Sequence, residues 1–246
     1  MPAPPTCAAR ADWNAAGASW RNRSSPPSSQ GRMYSRHDHA WLNSAGWAAA
    51  LDGAVAAHAQ ALEQWRRHDW PLIVTRRTPD ALPDAVCLGL ALPPDAGRKL
   101  RIALQVHQNS VARVGHALAL HAAAAAAPAR WAAPLAALLA DAGNITLRAY
   151  GSLALQAVTG LAYLTESSDI DLLFKPASPH ELDAGMQVLQ THARHLPLDG
   201  EIVFPDGAAV AWKEWRDAAA AGARVLVKDA VGVRLATTDS LRELLA

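Results

Sequence analysis

The alternation of apolar and polar positions changes character along the chain. Residues 1–32 show no hydrophobic period and are rich in Pro, Ser, Ala and Arg, as in PAPP and SSPPSS. That composition predicts a disordered extension. Periodicity begins later. Ala50, Ala54, Ala57, Ala61, Leu62 and Trp65 recur at helical spacing, with Glu63, Arg66 and Arg67 between them, and predict an amphipathic helix over 48–70. Three β-prone runs follow: Pro71 to Arg77, Val86 to Leu92 closed by Pro93-Pro94, and Lys99 to His107 with partial period-two alternation. Val111 to Pro128 reads as helical or loop-like, and Trp131 to Ala140 as a short helix stopped by Asp141-Ala142-Gly143-Asn144.

The second half is more strongly punctuated. Ile145 to Tyr150 predicts a strand ending at Gly151-Ser152, then a helix to about Thr159, then a strand over Asp169 to Phe174. Leu182, Met186, Leu189 and His192 share one face of a helix whose start carries Ser178 as cap and Pro179 at the first position. Asp199 to Phe204 is a turn into a strand, Pro205-Asp206-Gly207 a turn out of it, and Ala209 to Ala221 reads as helical. Val225 to Lys228 and Val231 to Ala236 form a hairpin, and Asp239 caps a closing helix, Ser240 to Ala246. The pattern is α+β: a small N-terminal α/β-type unit at 33–120, then a mixed sheet with flanking helices at 128–246.

Composition narrows the function classes. The chain has 246 residues, 51% hydrophobic and 18% charged, within globular limits. A net charge of +1 implies no strongly basic face, so no nucleic-acid partner is expected. Cys7 and Cys87 are too few for a disulfide framework, which fits a reduced, cytoplasmic setting. No uncharged apolar run reaches about 18 residues, and no basic start precedes an apolar block, so neither a membrane span nor a secretory signal is expected.

The chemistry concentrates between Arg148 and Phe174. On a strand, Asp169 and Asp171 point to one side and Ile170 and Leu172 to the other. Two carboxylates so placed repel each other, and an oxygen-preferring divalent cation, Mg²⁺ or Mn²⁺, relieves the repulsion. Gly151 allows a tight turn and close ligand approach, while Ser152 and the first N–H groups of the following helix can hold the β- and γ-phosphates of a donor. A third carboxylate from a neighbouring strand would complete the set as metal ligand or base. Glu201 is favoured over Asp199 because it lies within the strand proper. Lys228, at a strand end, would stabilise the pyrophosphate leaving group or serve as an ordinary edge lysine. Arg76, Arg77, Arg98, Lys99 and Arg101 cluster at strand ends, as a solvated charge set or as a cationic wall facing a polyphosphate. His37 and His39 stand two apart in a polar entry segment anchored by Trp41.

The glycine-serine turn followed by SDIDLL resembles the nucleotidyltransferase superfamily related to DNA polymerase beta. The longer string YGSLALQAVTGLAYLTESSDIDLLF resembles one family within it, the malonate decarboxylase holo-acyl-carrier-protein synthases, or phosphoribosyl-dephospho-CoA transferases. The likeness covers about 34–245. It implies a polymerase-beta-like catalytic sheet, with Asp169 and Asp171 as the family's carboxylate pair. It implies a donor, 2′-(5″-triphosphoribosyl)-3′-dephospho-CoA, and an acceptor, a serine of the apo acyl-carrier subunit of malonate decarboxylase, with release of pyrophosphate. It favours the cationic-wall reading that includes Arg76, and a phosphate-binding role for Arg36 or His37 in the Arg-His-Asp near the start. The alternatives are a nucleotidyltransferase that uses an ordinary NTP, and a non-catalytic nucleotide-binding module. The intact glycine-serine and Asp-Ile-Asp motifs count against the module. The long stretch from Ser152 to Asp169, without an early Arg, counts against a generic small nucleotidyltransferase.

Overall fold

A computed structural model describes residues 34–95, 97–218, 222–230 and 232–246. The expected 1–32 extension, the end of the 209–221 segment and Val231 lie outside the described residues.

The first sheet contains β1 (His39–Leu42), β2 (Leu72–Val74), β3 (Ala85–Ala91), β4 (Arg101–His107) and β5 (Val111–Gly115). Its order is β4-β3-β2-β1-β5, and every pairing is antiparallel. Two helices pack on it, α1 (Ser44–Asp52) and α2 (Ala56–His68). Trp47, Leu62 and Trp65 bury themselves against Leu72, Leu88, Leu90 and Ile102. The single helix read over 48–70 is thus two. The chain leaves the first at Gly53, and only the second carries the apolar stripe of Ala61, Leu62 and Trp65. Two strands were hidden from periodicity. The Arg-His-Asp-His density conceals β1, whose Ala40 and Leu42 are buried beside an equally buried Asp38 and His39. Val111 to Gly115, read as helix or loop, is an edge strand paired with β1.

The second sheet has β6 (Leu118–Ala119), β7 (Leu147–Tyr150), β8 (Ile170–Phe174), β9 (Leu198–Val203), β10 (Ala209–Ala211), β11 (Arg224–Lys228) and β12 (Val233–Thr237). It runs β12-β11-β10-β9-β8-β7-β6, with β8 and β9 parallel and the other pairs antiparallel. The described helices here are α3 (Leu120–Ala124), α4 (Ala129–Ala142), α5 (Gly151–Thr159), α6 (Pro179–His192), α7 (Trp212–Asp217) and α8 (Thr238–Arg242). A parallel pair requires a crossover, and α6 provides it. Ser178 caps that helix by accepting from Glu181 N–H at 3.1 Å. Ala209 to Ala211 pairs with β9 before the helix begins, so the expected helix starts only at Trp212. The closing helix is capped by Thr237, which accepts from Ser240 N–H at 3.2 Å, and not by Asp239.

Alternation fixes which side of this sheet is covered. Ile170, Leu172, Phe174, Leu198 and Ile202 pack against Leu135, Leu138, Leu153, Leu182, Met186 and Leu189 of the helices. The intervening positions, Asp171, Asp199 and Glu201, fall on the face opposite these helices. α6 approaches the sheet closely at Gly185, where an added Cβ would stand 2.2 Å from Cζ of Phe174. Gly185→Ala is expected to cost about 2 kcal/mol of folding stability, as overpacking does, read as a lowered urea midpoint. An unchanged midpoint would mean that α6 is free to move off the sheet.

Residues Tyr34–Ala246 form one compact unit. Among the described residues no helix is long and apolar enough to cross a membrane.

Candidate active site

β7 delivers its glycine-serine turn directly to β8. The antiparallel register sets Tyr150 opposite Asp171, and Gly151 follows with φ of +64°. A Cβ at Gly151 would lie 2.1 Å from Oδ2 of Asp171, so both the backbone conformation and the close approach require glycine. Ser152 lies in the first turn of α5, where no side chain caps the exposed N–H groups. The turn and the Asp171 carboxylate therefore occupy one place, at the start of α5.

The parallel pairing of β8 with β9 sets Asp171 opposite Asp199 and Leu173 opposite Glu201. Asp169 is exposed at the entrance to β8. Burial pushes the Asp171 carboxyl up, to about 6, and the charges of Asp199 and Asp169 add to it, while Lys99 and Arg101 pull the other way. The carboxylates at 169, 171 and 199 thus act on one another. Among the described residues no three His, Cys, Asp or Glu side chains form a ready metal cage.

Glu201 has different company. It is buried and ion-paired to Arg36, with His37 Nε2 and Lys228 Nζ each 3.6 Å away. Burial alone would raise its pKa, but hydrogen bonding and charge from His37 and Arg36 prevail and bring it down to about 2. The structure therefore gathers Arg36, Lys228 and Glu201 into one cluster, two residues along β9 from Asp199. Lys213, which the sequence reading passed over, stands 3.5 Å from Asp199.

Tyr150 was also missed. Burial and then the charges of Glu201, Asp171 and Asp199 push its phenol upward, so it stays protonated as a donor. Its ring lies 4.1 Å from that of His37. Its place directly before the glycine-serine pair was the available signal. His39 is buried against Trp41, and burial lowers its pKa to about 4, so it is neutral. Arg76 is exposed, and no contact joins it to the carboxylates among the described residues. Arg77 spends its guanidinium on the carbonyls of Ala81 and Pro83, at 2.9 and 3.1 Å.

The segment between α5 and β8 is tied down before it reaches Asp169. Gln156 Oε1 accepts from Tyr163 N–H and Leu164 N–H, each at 3.0 Å. Ser168 Oγ accepts from Thr165 N–H at 2.9 Å. Tyr163 donates its hydroxyl to the Ala91 carbonyl at 2.7 Å, and Leu161 packs against the core of the first sheet.

The two sheets with flanking helices make this an α+β protein, and the strand–turn–helix and the β8–α6–β9 crossover are consistent with a nucleotidyltransferase-like fold. The match of sequence is narrower. Residues 117–239 fit the family model described as Phosphoribosyl-dephospho-CoA transferase MdcG C-terminal domain, and residues 35–117 fit the corresponding N-terminal domain. A phosphoribosyl-dephospho-CoA transferase of Bradyrhizobium diazoefficiens is 42% identical over 185 residues, covering 73% of this chain and 80% of that one. One from Xanthomonas campestris pv. campestris is 38% identical over 213 residues, covering 85% and 97%. The chain belongs to the phosphoribosyl-dephospho-CoA transferase family and is a transferase. No solved structure shows a significant match to it.

Proposed function

We propose that the protein transfers the phosphoribosyl-dephospho-CoA group of 2′-(5″-triphosphoribosyl)-3′-dephospho-CoA to a serine of the apo acyl-carrier subunit of malonate decarboxylase. The observation that carries the reading is the contact of Gly151 with Asp171, which sets a phosphate-binding turn against a carboxylate of the sheet face opposite the helices. The serine hydroxyl attacks the donor phosphorus next to the ribose, a phosphodiester forms, and the bond to the departing pyrophosphate breaks. Gly151, Ser152 and the first turn of α5 hold the outer phosphates. Asp169 and Asp171 would hold Mg²⁺ or Mn²⁺, oxygen-preferring ions that one or two carboxylates suffice to bind alongside substrate phosphates. When bound, such an ion supplies positive charge against the entering and leaving oxygens. We assign the third carboxylate to Asp199, which is in register with Asp171, because Glu201 is already neutralised by Arg36. Lys228 and Arg36 then act through Glu201, fixing the floor beside the site. Tyr150, opposite Asp171 and kept protonated, offers a hydrogen-bond donor at the carboxylate face.

The test follows pyrophosphate. Enzyme, Mg²⁺, the triphosphoribosyl donor and the apo carrier subunit are expected to release pyrophosphate only when all are present. Release from ATP with the carrier, and none from the donor, would replace this reading by an ordinary NTP-dependent nucleotidyltransferase.

A pH dependence follows from Asp171. Its carboxyl, raised to about 6 without metal, must lose its proton before it can bind a cation. Mn²⁺ affinity is therefore expected to fall about tenfold per pH unit below about 6 and to level off above it. Calorimetric titrations across that range read this directly, and a flat profile would place the metal elsewhere.

A further inference from the structure

We propose that His37 is the general base of the transfer: its imidazole takes the proton of the acceptor serine hydroxyl, and Glu201 holds the imidazolium that results. This rests on the hydroxyl acceptor assigned above and names the group that activates it. The first observation is in the backbone. Asp38 N–H donates to the Ser35 carbonyl at 3.1 Å and closes a four-residue turn over 35–38. His37 stands third in that turn with φ of +69°, a place usually taken by glycine or asparagine. The turn is firmly held. The buried Asp38 carboxylate accepts from Ser35 N–H at 3.0 Å, and Val74 N–H donates to the Asp38 carbonyl at 2.8 Å. His37 N–H donates to the Val74 carbonyl at 2.9 Å, which ties the turn to β2. Glycine would serve this backbone better, so the strained position is explained by what the imidazole does.

The ring lies against the residue that joins the glycine-serine turn to the carboxylate strand. Its centroid is 4.1 Å from that of Tyr150, which precedes Gly151 and stands opposite Asp171. Nε2 is buried, 3.6 Å from Oε2 of Glu201, and has no hydrogen-bond partner. Glu201 is fixed in turn by Arg36 and by Lys228 Nζ at 3.6 Å. A carboxylate on the Nε2 side favours the tautomer with its proton there, which leaves the Nδ1 lone pair to accept another. The side chain keeps 21% exposure, so part of the ring is open to an incoming group while the Nε2 edge is closed. An approach of this length tightens to a hydrogen bond in the reacting complex. The charged and titratable groups around the ring are Arg36, Asp38, Tyr150 and Glu201, with Lys228 behind Glu201. No contact joins His37 to Asp169, Asp171 or Asp199 among the described residues, so the base and the ion-binding carboxylates are different groups. In the step, the serine oxygen forms its bond to phosphorus and the bond from phosphorus to pyrophosphate breaks. The serine proton moves to Nδ1 and from there to solvent.

The test replaces His37 by glycine, the residue that its backbone position favours. In His37→Gly the kcat for transfer to the apo carrier subunit is expected to fall about 10²-fold or more, the loss typical of a removed general base. The urea midpoint is expected to hold or to rise, because the left-handed position is relieved. Donor KM is expected to stay within about twofold of wild type, since a base acts on the chemical step and not on donor binding. Added imidazole is expected to restore kcat saturably, and more basic imidazoles to restore more, as proton transfer in the transition state requires. Transfer within about twofold of wild type in His37→Gly would overturn the proposal. So would a loss that no imidazole relieves, or a raised donor KM at unchanged kcat, which is the mark of a binding role. A wild-type chain that leaves the carrier serine unmodified removes the acceptor reading itself. A wild-type chain that modifies the carrier, with His37→Gly as fast, removes only the base, so the two failures are distinguishable.

Discussion

Asp171→Asn is expected to lower the transfer rate on the order of 10³-fold or more, while the folded protein remains as stable as wild type or slightly more so. The size of the loss follows from removing charge stabilisation worth several kcal/mol in the transition state. The stability outcome follows from the sign of the pKa shift. Asp171 is raised from 3.8 to about 6 in the folded chain, so its ionised form is disfavoured there, and stability falls as pH rises through that interval. An uncharged isostere removes the penalty. Single-turnover kinetics and urea unfolding on the same preparation read both quantities. A variant that loses activity because it unfolds would contradict the account, and so would one that keeps its rate. Asp199→Asn should show the same pattern if β9 supplies the third carboxylate through that residue.

Arg36→Ala should have the largest effect on stability, a loss of about 3 kcal/mol near neutral pH, because it strips the main partner from a buried carboxylate. Glu201 is lowered from 4.5 to about 2 in the folded chain. A depressed carboxylate contributes stability that is present above its unfolded value and is lost as pH falls toward the folded one. The wild-type protein should accordingly weaken between about pH 4.5 and about pH 2, and Glu201→Gln should not share that part of the loss. The Arg36→Ala cost should shrink in the Glu201→Gln background, since the partner left behind is no longer charged. Equal costs in both backgrounds would show that Arg36 acts through something other than this pair.

Part of the fold was legible in the sequence. The β7–turn–β8 segment was visible because three signals coincide within a short stretch: a β-prone run ending in Gly151-Ser152, an alternating Asp-Ile-Asp, and apolar residues that fill the other face. The α6 boundary was equally clear, since Ser178 and Pro179 act locally. What escaped depends on pairing between distant segments. β1 buries Ala40 and Leu42, but the buried polar pair Asp38 and His39 at its start hides it from an apolar pattern, and its pairing with β2 and β5 joins segments distant in sequence. Position within the strand favoured Glu201 over Asp199 as third carboxylate; that Asp199 is the register partner of Asp171 is a property of two strands, which one strand's sequence does not carry. Arg36 lies far from Glu201 in sequence, so a family pattern could suggest that it binds phosphate, but only the folded chain shows the carboxylate that it meets. The cations at 76, 77, 98, 99 and 101 look alike in the sequence, and only the fold shows that loop carbonyls claim Arg77.

The most direct test is the intact mass of the acceptor. Purified enzyme, Mg²⁺ and the triphosphoribosyl-dephospho-CoA donor are mixed with the apo acyl-carrier subunit, and the carrier is weighed by mass spectrometry over time. A gain equal to one phosphoribosyl-dephospho-CoA group is predicted, abolished by chelation of the metal and by Asp171→Asn, and mapped by fragmentation to a serine. A carrier whose mass stays unchanged with active, folded enzyme and metal present, or a gain that persists in Asp171→Asn, would contradict the account.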